Sequence, residues 1–580
     1  MENGATARKE SFISLVRGLS ANFWYANFME ILERLAFFGV RAIAALYLVK
    51  GADENGLGLS QTDKGTIFAV WALLQCLIPM ISGGYTDRYG FRPSLAIAFI
   101  LNIIGYLLMA QSANISGYVI EQGWLDSGFW VYMVAACFVA TGTAIFKPAC
   151  HGTIAKTTDE KTSSMGWGIF YWVVNIGGAV APMGAAALRG DQMNWNLVFY
   201  GAAIVTACNF LPAFLLYKEP VKEPSKEGEH ERGPFGVFAS SIMQMFKDWR
   251  LVVFLLIFSC FWLMFMQLWD LLPNFVDEWV DTRDVATFFG PIGQYFGGWL
   301  EEDGRVKPEI IINIDAWSII LLVLVISWII RKISKVAAMV IGMIIALVGF
   351  VGAGYTTVGW LCCLMIFIFA IGEMTCSPTF SAYIGLIAPK DKKALYMGYS
   401  NIPFAIGWFA GNLVGAGMYD AMADKHKLAR DYLVTELHTS AEFVNDQDLL
   451  PNTQVMPTMA FLLDGNDPQA TVAAIRAALR AEGIFGETGG SEETGAAPAA
   501  AVPPDNHKQR VKDAYESVLG KPDPDGTKEA TTILWDMHDP YMVWVYLGIF
   551  GLAGTVGMII FYFTTRKSIG KNNNGQTAAA

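Results

Sequence analysis

The sequence is poor in charged residues. Only 16% of its 580 residues are Asp, Glu, Lys or Arg, whereas soluble domains carry about 25%. Hydrophobic residues make up 54%. This composition excludes an ordinary soluble domain and indicates an integral membrane protein with the lipid bilayer as its surroundings. The formal net charge of −11 is acidic, and we expect no nucleic-acid partner.

Cysteine is scarce outside the apolar stretches. All eight cysteines lie in or beside these stretches, and none lies in the long polar segment 420–540. The pattern offers no disulfide framework and no metal-ligand spacing. We therefore expect no metal, no cofactor and no enzymatic activity.

Long hydrophobic runs, by contrast, are abundant. Stretches of about 18 or more apolar residues number roughly twelve, which predicts an all-α protein with twelve membrane spans. The predicted spans lie near 20–49, 61–82, 93–112, 128–149, 164–188, 196–217, 251–275, 310–330, 336–354, 359–387, 394–419 and 541–564. The first is too long and too charged for a cleavable signal peptide.

Basic residues in the short loops predict the orientation. Lys and Arg cluster before the first span and after the second, sixth, eighth, tenth and twelfth, whereas the loop 112–127 has none. The positive-inside rule then places both termini in the cytoplasm. We expect a multi-pass protein of the cell inner membrane.

Polar segments divide the chain. The stretch 218–250 is predicted to be a cytoplasmic linker between two six-helix bundles, formed by residues 1–217 and by 251–419 together with the last span and tail, 541–580. The segment 420–540 is predicted to be an extracytoplasmic insert between the last two spans. It holds 21 acidic and 10 basic residues and so carries the whole net charge.

The insert contains two kinds of sequence. Helix-like runs cover 423–445 and 469–482. A stretch rich in Gly, Ala, Glu and Pro, 486–504, is predicted to be a disordered linker. The insert is also where we expect any protein partner to bind.

Four charged residues interrupt the first predicted span: Glu30, Glu33, Arg34 and Arg41. Charges at that depth are expensive unless they pair or face a water-filled cavity, so such a cluster indicates a functional site. At 100° per residue, Glu30, Arg34 and Arg41 fall within about 40° of one another, with Glu33 about 60° from Glu30. The alternative is a structural ion-pair cluster that joins packed helices.

Four motifs resemble those of one transporter family. The first-span string Glu30-x-x-Glu33-Arg34-Leu35-x-Phe37-Phe38-Gly39 is similar to the E-x-x-E-R-F-x-Y-Y-G signature of the proton-coupled oligopeptide transporters, a branch of the major facilitator superfamily. It keeps every charge but lacks both tyrosine hydroxyls. Similar to other family strings are Gly142-Thr-Ala-Ile-Phe146-Lys147-Pro148, Phe170-Tyr171-Trp-Val-Val-Asn175-Ile-Gly177 and Gly372-Glu373-Met-Thr-Cys-Ser377-Pro378.

The resemblance implies roles for these residues. Proton coupling is implied for Glu30, Glu33, Arg34 and Lys147, the last because a lone lysine in an apolar helix requires an acidic partner. Arg41 and Glu373 are implied to bind the two ends of a short zwitterion near the membrane midplane. The other substrate-binding residues implied are Asn175, Tyr171, Phe37, Phe38, Trp262, Asn313 and Tyr399.

Two gates are implied as well. The loop string Gly83-Gly84-Tyr-Thr-Asp87-Arg88-Tyr-Gly90 resembles a motif of the whole superfamily, which assigns Asp87 and Arg88 to a conformational gate. In span seven the family usually has an acid where this chain has Met266. Asp270 lies one helical turn later on the same face, and we expect it to pair with Arg41 instead.

The sequence thus predicts a proton-coupled symporter with two six-helix bundles that imports di- or tripeptides, or similar small zwitterions, by alternating access. One alternative is the same fold with a non-peptide solute, because the pocket residues depart from the family. The other is a transporter-like scaffold subunit that docks in a larger membrane complex through residues 420–540.

Overall fold

A computed structural model describes residues 18–121, 127–158, 163–219, 245–296, 298–330, 333–387, 399–484, 504–521 and 523–576, with positions 236 and 243. Over these residues the chain is helical, and extended pairing is limited to two isolated bridges, Asp281 with Val358 and Leu300 with Val306. The all-α prediction is confirmed. The predicted linker 486–504 lies almost wholly outside the described residues.

The chain divides into two compact units. Unit 1 comprises Met1–Leu46, Thr62–Ala416 and Trp544–Ala580, and unit 2 comprises Tyr47–Gln61 and Gly417–Val543. The polar segment that the sequence assigned to an insert therefore belongs to a unit that also includes the loop after the first long helix.

The helices of unit 1 before the linker are α1 (Ala21–Val49), α2 (Gln61–Tyr89), α3 (Phe91–Ala110), α4 (Ser112–Glu121), α5 (Ser127–Thr157), α6 (Ser163–Arg189) and α7 (Trp195–Cys208). After the linker follow α8 (Trp249–Phe265), α9 (Gln267–Asp270), α10 (Leu272–Trp279), α11 (Ala286–Phe296), α12 (Pro308–Ile312), α13 (Ile314–Ile330), α14 (Lys335–Gly354), α15 (Gly359–Ile387) and α16 (Asn401–Met422). The last long helix is α23 (Met542–Gln576).

Ten helical segments among the described residues are long and apolar enough to cross a membrane. Two further predicted spans correspond to α1 and α16, which are 29 and 22 residues long. Helix α1 differs from those ten in its charge, because it contains the four charged residues of the first predicted span. All these helices can cross a bilayer because their backbone groups bond within the helix.

Small residues let the helices of unit 1 approach closely. A Cβ atom on Gly372 of α15 would lie 2.7 Å from the Cα of Ala346 on α14. Gly342 of α14 likewise contacts α15, because a Cβ atom added there would lie 2.8 Å from the Cys376 backbone nitrogen. Van der Waals contact between backbones replaces the hydrophobic driving force that is weak between helices in lipid.

Helices α1 and α6 run parallel to each other. Phe23 lies beside Gly166, Arg34 beside Gly177, and Gly39 beside Ala181. The two helices therefore keep the same register over about four turns, and the C-terminal end of α6 lies at the level of α1 beyond Arg41.

Helix α6 also meets the start of the helices after the linker. The Asn313 side chain donates to the Ala179 carbonyl over 2.7 Å, and the Lys307 ammonium lies 3.5 Å from the Ala186 carbonyl. From the first contact to the second, the residue number rises along α6 and falls along the segment that contains α12 and α13. Helix α6 and this segment are therefore antiparallel.

Unit 2 has a helical fold of its own. Its helices are α17 (Lys425–Thr435), α18 (Ala441–Asn445), α19 (Asn452–Leu463), α20 (Pro468–Ala481), α21 (Pro504–Leu519) and α22 (Pro524–His538). Arg430 donates to the Leu450 carbonyl over 2.6 Å and Tyr515 donates to the Leu449 carbonyl. Burial raises the pKa of Tyr515 above its usual range, since the phenolate would lose its water. The amide of Thr453 donates to Asp53 over 3.0 Å, which attaches the loop Tyr47–Gln61.

We expect Gly372→Val to destabilise unit 1. The larger side chain must push α14 and α15 apart, and overpacking of this kind costs about 1–3 kcal/mol. The thermal unfolding midpoint of detergent-purified protein should fall. Gly184→Val on α6 is the matched control, because a Cβ there meets nothing within 4 Å. Equal midpoints for the two variants would contradict close α14–α15 packing.

Candidate functional site

Three charged residues of α1 form a buried ion cluster. The Arg34 Nε atom lies 3.1 Å from Glu30 Oε1, and the Arg34 guanidinium also pairs with Glu33. All three residues are at least 95% buried. One cation therefore faces two acids, and the three ionised groups together carry a net negative charge that a bound proton would cancel.

The surroundings of Arg34 fix its position. Its guanidinium carbon lies 5.2 Å from the Phe37 ring centre and 5.7 Å from that of Phe38, which is cation–π range. On the other side, a Cβ on Gly177 would collide with the arginine side chain. Gly177 belongs to the span-five motif, and its lack of a side chain lets α6 pack directly on the cluster.

Lys147 of α5 lies close to this cluster and is only half-buried. It is within electrostatic range of Glu30, Glu33 and Arg34. Among the described side chains, no ion pair joins Lys147 to either carboxylate. In this conformation both acids pair with Arg34, and Lys147 is a second cation available to them.

A second ion pair joins α1 to the helices after the linker. Arg41 pairs with Asp270, and the Trp408 indole nitrogen donates to the same carboxylate over 2.6 Å. The Arg41 guanidinium carbon lies 4.2 Å from the Phe68 ring centre and 5.2 Å from that of Trp71. Asp270 is fully buried. The pairing expected from the spacing of Met266 and Asp270 is present in the geometry.

One helical turn after Arg41 and Asp270, further hydrogen bonds join neighbouring helices. The Lys64 ammonium donates to the side-chain oxygen Oδ1 of Asn274 over 2.7 Å, and the side-chain nitrogen Nδ2 of Asn274 donates to the Ala45 backbone carbonyl over 3.1 Å. Helices α1, α2 and α10 thus meet through hydrogen bonds at the Arg41 end of unit 1.

A pair of acids lies at the third polar position. The Glu373 carboxyl group of α15 lies beside the Asp315 carboxyl group of α13. Two carboxyl groups can bond to each other only if one carries the proton. Asp315 is 1% exposed, and Tyr171 of α6 lies within electrostatic range of both acids.

The other predicted substrate residues surround these three positions less closely. Asn175 donates to the Tyr171 carbonyl of its own helix over 2.7 Å, and Asn313 bonds α6 as described above. Trp262 packs edge-on against Phe404, with ring centres 4.8 Å apart. Tyr399 is 1% exposed. The side chains of Asp87 and Arg88 lie outside the described residues.

Sequence reasoning missed two residues of the site. Asp315 follows Asn313 by two positions in an apolar span, and a charged residue there was itself a signal. Trp408 carries an indole N–H that needs an acceptor when buried, but nothing in the sequence identifies Asp270 as that acceptor.

The chain is similar to known transporters. The sequence model of the Major Facilitator Superfamily matches residues 27–411 of this chain. The uncharacterized transporter YclF of Bacillus subtilis is 28% identical over 202 residues, which are 34% of this chain and 37% of that protein. A di-/tripeptide transporter of Lactococcus lactis is 26% identical over 201 residues, again 34% and 37%. The chain thus aligns with about a third of the length of these curated relatives.

A solved structure shows the same fold. The crystal structure of a POT family transporter in complex with 5-aminolevulinic acid covers 71% of this chain and 94% of its own, with a TM-score of 0.56 and 18% identity. Together with the curated relatives it confirms the resemblance that the membrane motifs indicate.

We expect Asp270→Asn to destabilise the protein by about 3–5 kcal/mol, because it leaves the Arg41 charge buried without its acid. The measurement is unfolding of the purified protein. Asp303→Asn is the matched control: Asp303 pairs with Arg305 over 2.6 Å but is half-exposed, so its loss should cost at most about 1 kcal/mol. Adding Met266→Asp to Asp270→Asn should recover part of the loss. Similar midpoints for the Asp270 and Asp303 variants would contradict the buried pair.

Proposed function

Because the chain belongs to the Major Facilitator Superfamily, we propose that it is a proton-coupled symporter that imports di- or tripeptides, or similar small zwitterions, by alternating access. The observation that carries this proposal is the ion cluster of Glu30, Glu33 and Arg34. A membrane helix that buries two acids against one base has a ready site for a proton. The proposal places both termini in the cytoplasm and the protein in the inner membrane.

Proton coupling follows from competition for Arg34. While both acids are ionised, each attracts the same guanidinium. A proton on Glu30 or Glu33 removes one of these attractions and frees Arg34 to turn toward other acceptors. Lys147 is then a second cation that the remaining carboxylate can attract. The charge rearrangement would loosen the packing of α1 against α5 and α6, which is the step that opens the inward gate in this mechanism.

Substrate binding is proposed to use the two other polar positions. Glu373, with Asp315 behind it, offers acceptors to the amino end of a zwitterion, and Arg41 offers a donor to its carboxylate. Arg41 is held by Asp270 in this conformation. A substrate carboxylate must therefore compete with Asp270, which links binding to the outer gate. Tyr171, Asn175 and Trp262 supply further polar contacts.

A non-peptide solute is the second candidate within the same fold. Phe37 and Phe38 offer no hydroxyl groups to a peptide backbone, and Met266 removes an acid. The structural neighbour described above binds 5-aminolevulinic acid, a small zwitterion without a peptide bond. The scaffold alternative draws on unit 2, which has a core of its own.

Glu33→Gln should abolish uptake driven by a proton gradient, because the amide cannot take up the coupling proton. Proteoliposomes with purified protein and labelled alanyl-alanine provide the assay. Substrate counterflow, which needs no net proton movement, should survive better. Glu442→Gln, at a side chain that is 82% exposed, should behave like the wild type. Gradient-driven uptake at the wild-type rate by the Glu33 variant would overturn the assignment.

Replacing residues 425–535 with a short Gly/Ser linker should leave unit 1 folded and transport largely intact, since the flanking helices need only a flexible connection. Size-exclusion profiles and the same uptake assay test this. A partner that copurifies in mild detergent with the full chain, and not with the shortened one, would favour the scaffold alternative. A shortened protein that assembles but does not transport would assign unit 2 a part in the cycle.

A further inference from the structure

A second buried ion network lies at the C-terminal end of α6. The Arg189 Nε atom lies 2.9 Å from Glu309 Oε1, and its terminal nitrogen lies 2.6 Å from Glu301 Oε1. Arg189 is 1% exposed and Glu309 is 2% exposed. The guanidinium carbon also lies 5.0 Å from the Trp195 ring centre. One arginine thus bonds two acids while stacked on an aromatic ring.

Lys307 extends the network. It is fully buried, and its ammonium lies 3.2 Å from Asp191 Oδ1 and 3.2 Å from the Gly298 carbonyl. Asp191 lies two residues after the end of α6, and Lys307 directly precedes α12. We call the five residues Arg189, Asp191, Glu301, Lys307 and Glu309 the outer network.

The outer network joins the two predicted bundles. Arg189 and Asp191 come from the chain before the linker, and the other three residues come from the chain after it. Every ion pair in the network crosses from one bundle to the other. The parallel register of α1 and α6 places Arg189 two turns beyond Ala181, which lies beside Gly39. The network therefore lies at the same end of unit 1 as the pair of Arg41 and Asp270.

We propose that the outer network is a second gate of the transport cycle, separate from the pair of Arg41 and Asp270. The inference rests on the proposed function, because alternating access requires the bundles to separate at this end. Separation must break all the cross-bundle ion pairs. Because the network lies at the end of the helices, the broken charges can be hydrated, and the gate has two stable arrangements: paired and buried, or separate and wet.

A purely structural role makes a different prediction. If the network only caps α6, then breaking it loosens that end and has no effect elsewhere. If it is a gate, then breaking it favours the conformation open at this end, in which the opposite end of the bundle closes. Backbone amides at the opposite end must then become more protected from hydrogen exchange, since only one side of the protein is open at a time.

Hydrogen–deuterium exchange on the detergent-purified full chain separates these roles without any substrate. The variant is Arg189→Gln with Glu309→Gln, which breaks both ion pairs of Arg189 and leaves only Glu301, of these three residues, as a charge without its partner. Glu309→Gln alone retains the bond of Arg189 to Glu301 and serves if the double variant does not fold. The matched control is Arg305→Gln, because the Arg305 side chain bonds Asp303 and the Asp277 carbonyl, which both lie within its own bundle.

A gate predicts opposite changes at the two ends. Exchange should rise several-fold over residues 183–195 and 298–310 and fall over 150–158 and 380–387, with no such change in the control. A rise confined to the first two segments, or no rise at all, would overturn the proposal. Because the readout needs no solute, it holds even if alanyl-alanine is not transported. Gradient-driven uptake at the wild-type rate by the Glu33 variant, with reciprocal exchange intact, would contradict proton-coupled peptide transport and leave the gate standing.

Discussion

The high cost of an unpaired charge inside a membrane governs the structure of unit 1. Each buried acid or base among the site residues has a partner within the protein, and the partners come from different helices in most cases. Arg41 and Asp270 are 229 positions apart in sequence, and Arg189 and Glu309 are 120 apart. Such pairs stabilise a conformation only while its helices stay together, so each pair is also a constraint on movement.

Small residues make these pairs possible. Gly177 leaves room for Arg34 between α1 and α6. Gly411 and Gly415 leave room for Gln267, which lies one turn before Asp270. A bulkier residue at these positions would have to displace the Arg34 or Gln267 side chain or push the helices apart. Helix packing in lipid already favours small residues, so the same glycines serve packing and electrostatics together.

How far the sequence predicts this site depends on whether a contact lies within one helix. The pairing of Arg34 with Glu30 follows from spacing along α1, and the position of Asp270 follows from one helical turn after Met266. The assignment of Lys147 to the acids rests on the resemblance to the family motif, because its contacts depend on how α5 packs. Trp408, Asp315 and Arg189 depend on the approach of distant helices, which no periodicity encodes. The division of the chain into units has the same cause, since Tyr47–Gln61 joins unit 2 through contacts such as that of Thr453 with Asp53.

The contacts around Arg41 bear on the proposed exchange of its partners. Its guanidinium stacks on Phe68 and Trp71, contacts that do not involve the acid and that can persist when the acid leaves. Asp270 likewise retains the indole of Trp408. Each member of the pair therefore has a second interaction on its own side of the junction, which lowers the cost of separation. Arg34 lacks this freedom on the acid side, because Glu30 and Glu33 come from its own helix and move with it. A proton can change the balance at Arg34, whereas separating helices can change the balance at Arg41. In the proposed cycle, a proton therefore acts at Arg34 and helix separation acts at Arg41, two turns further along the same helix.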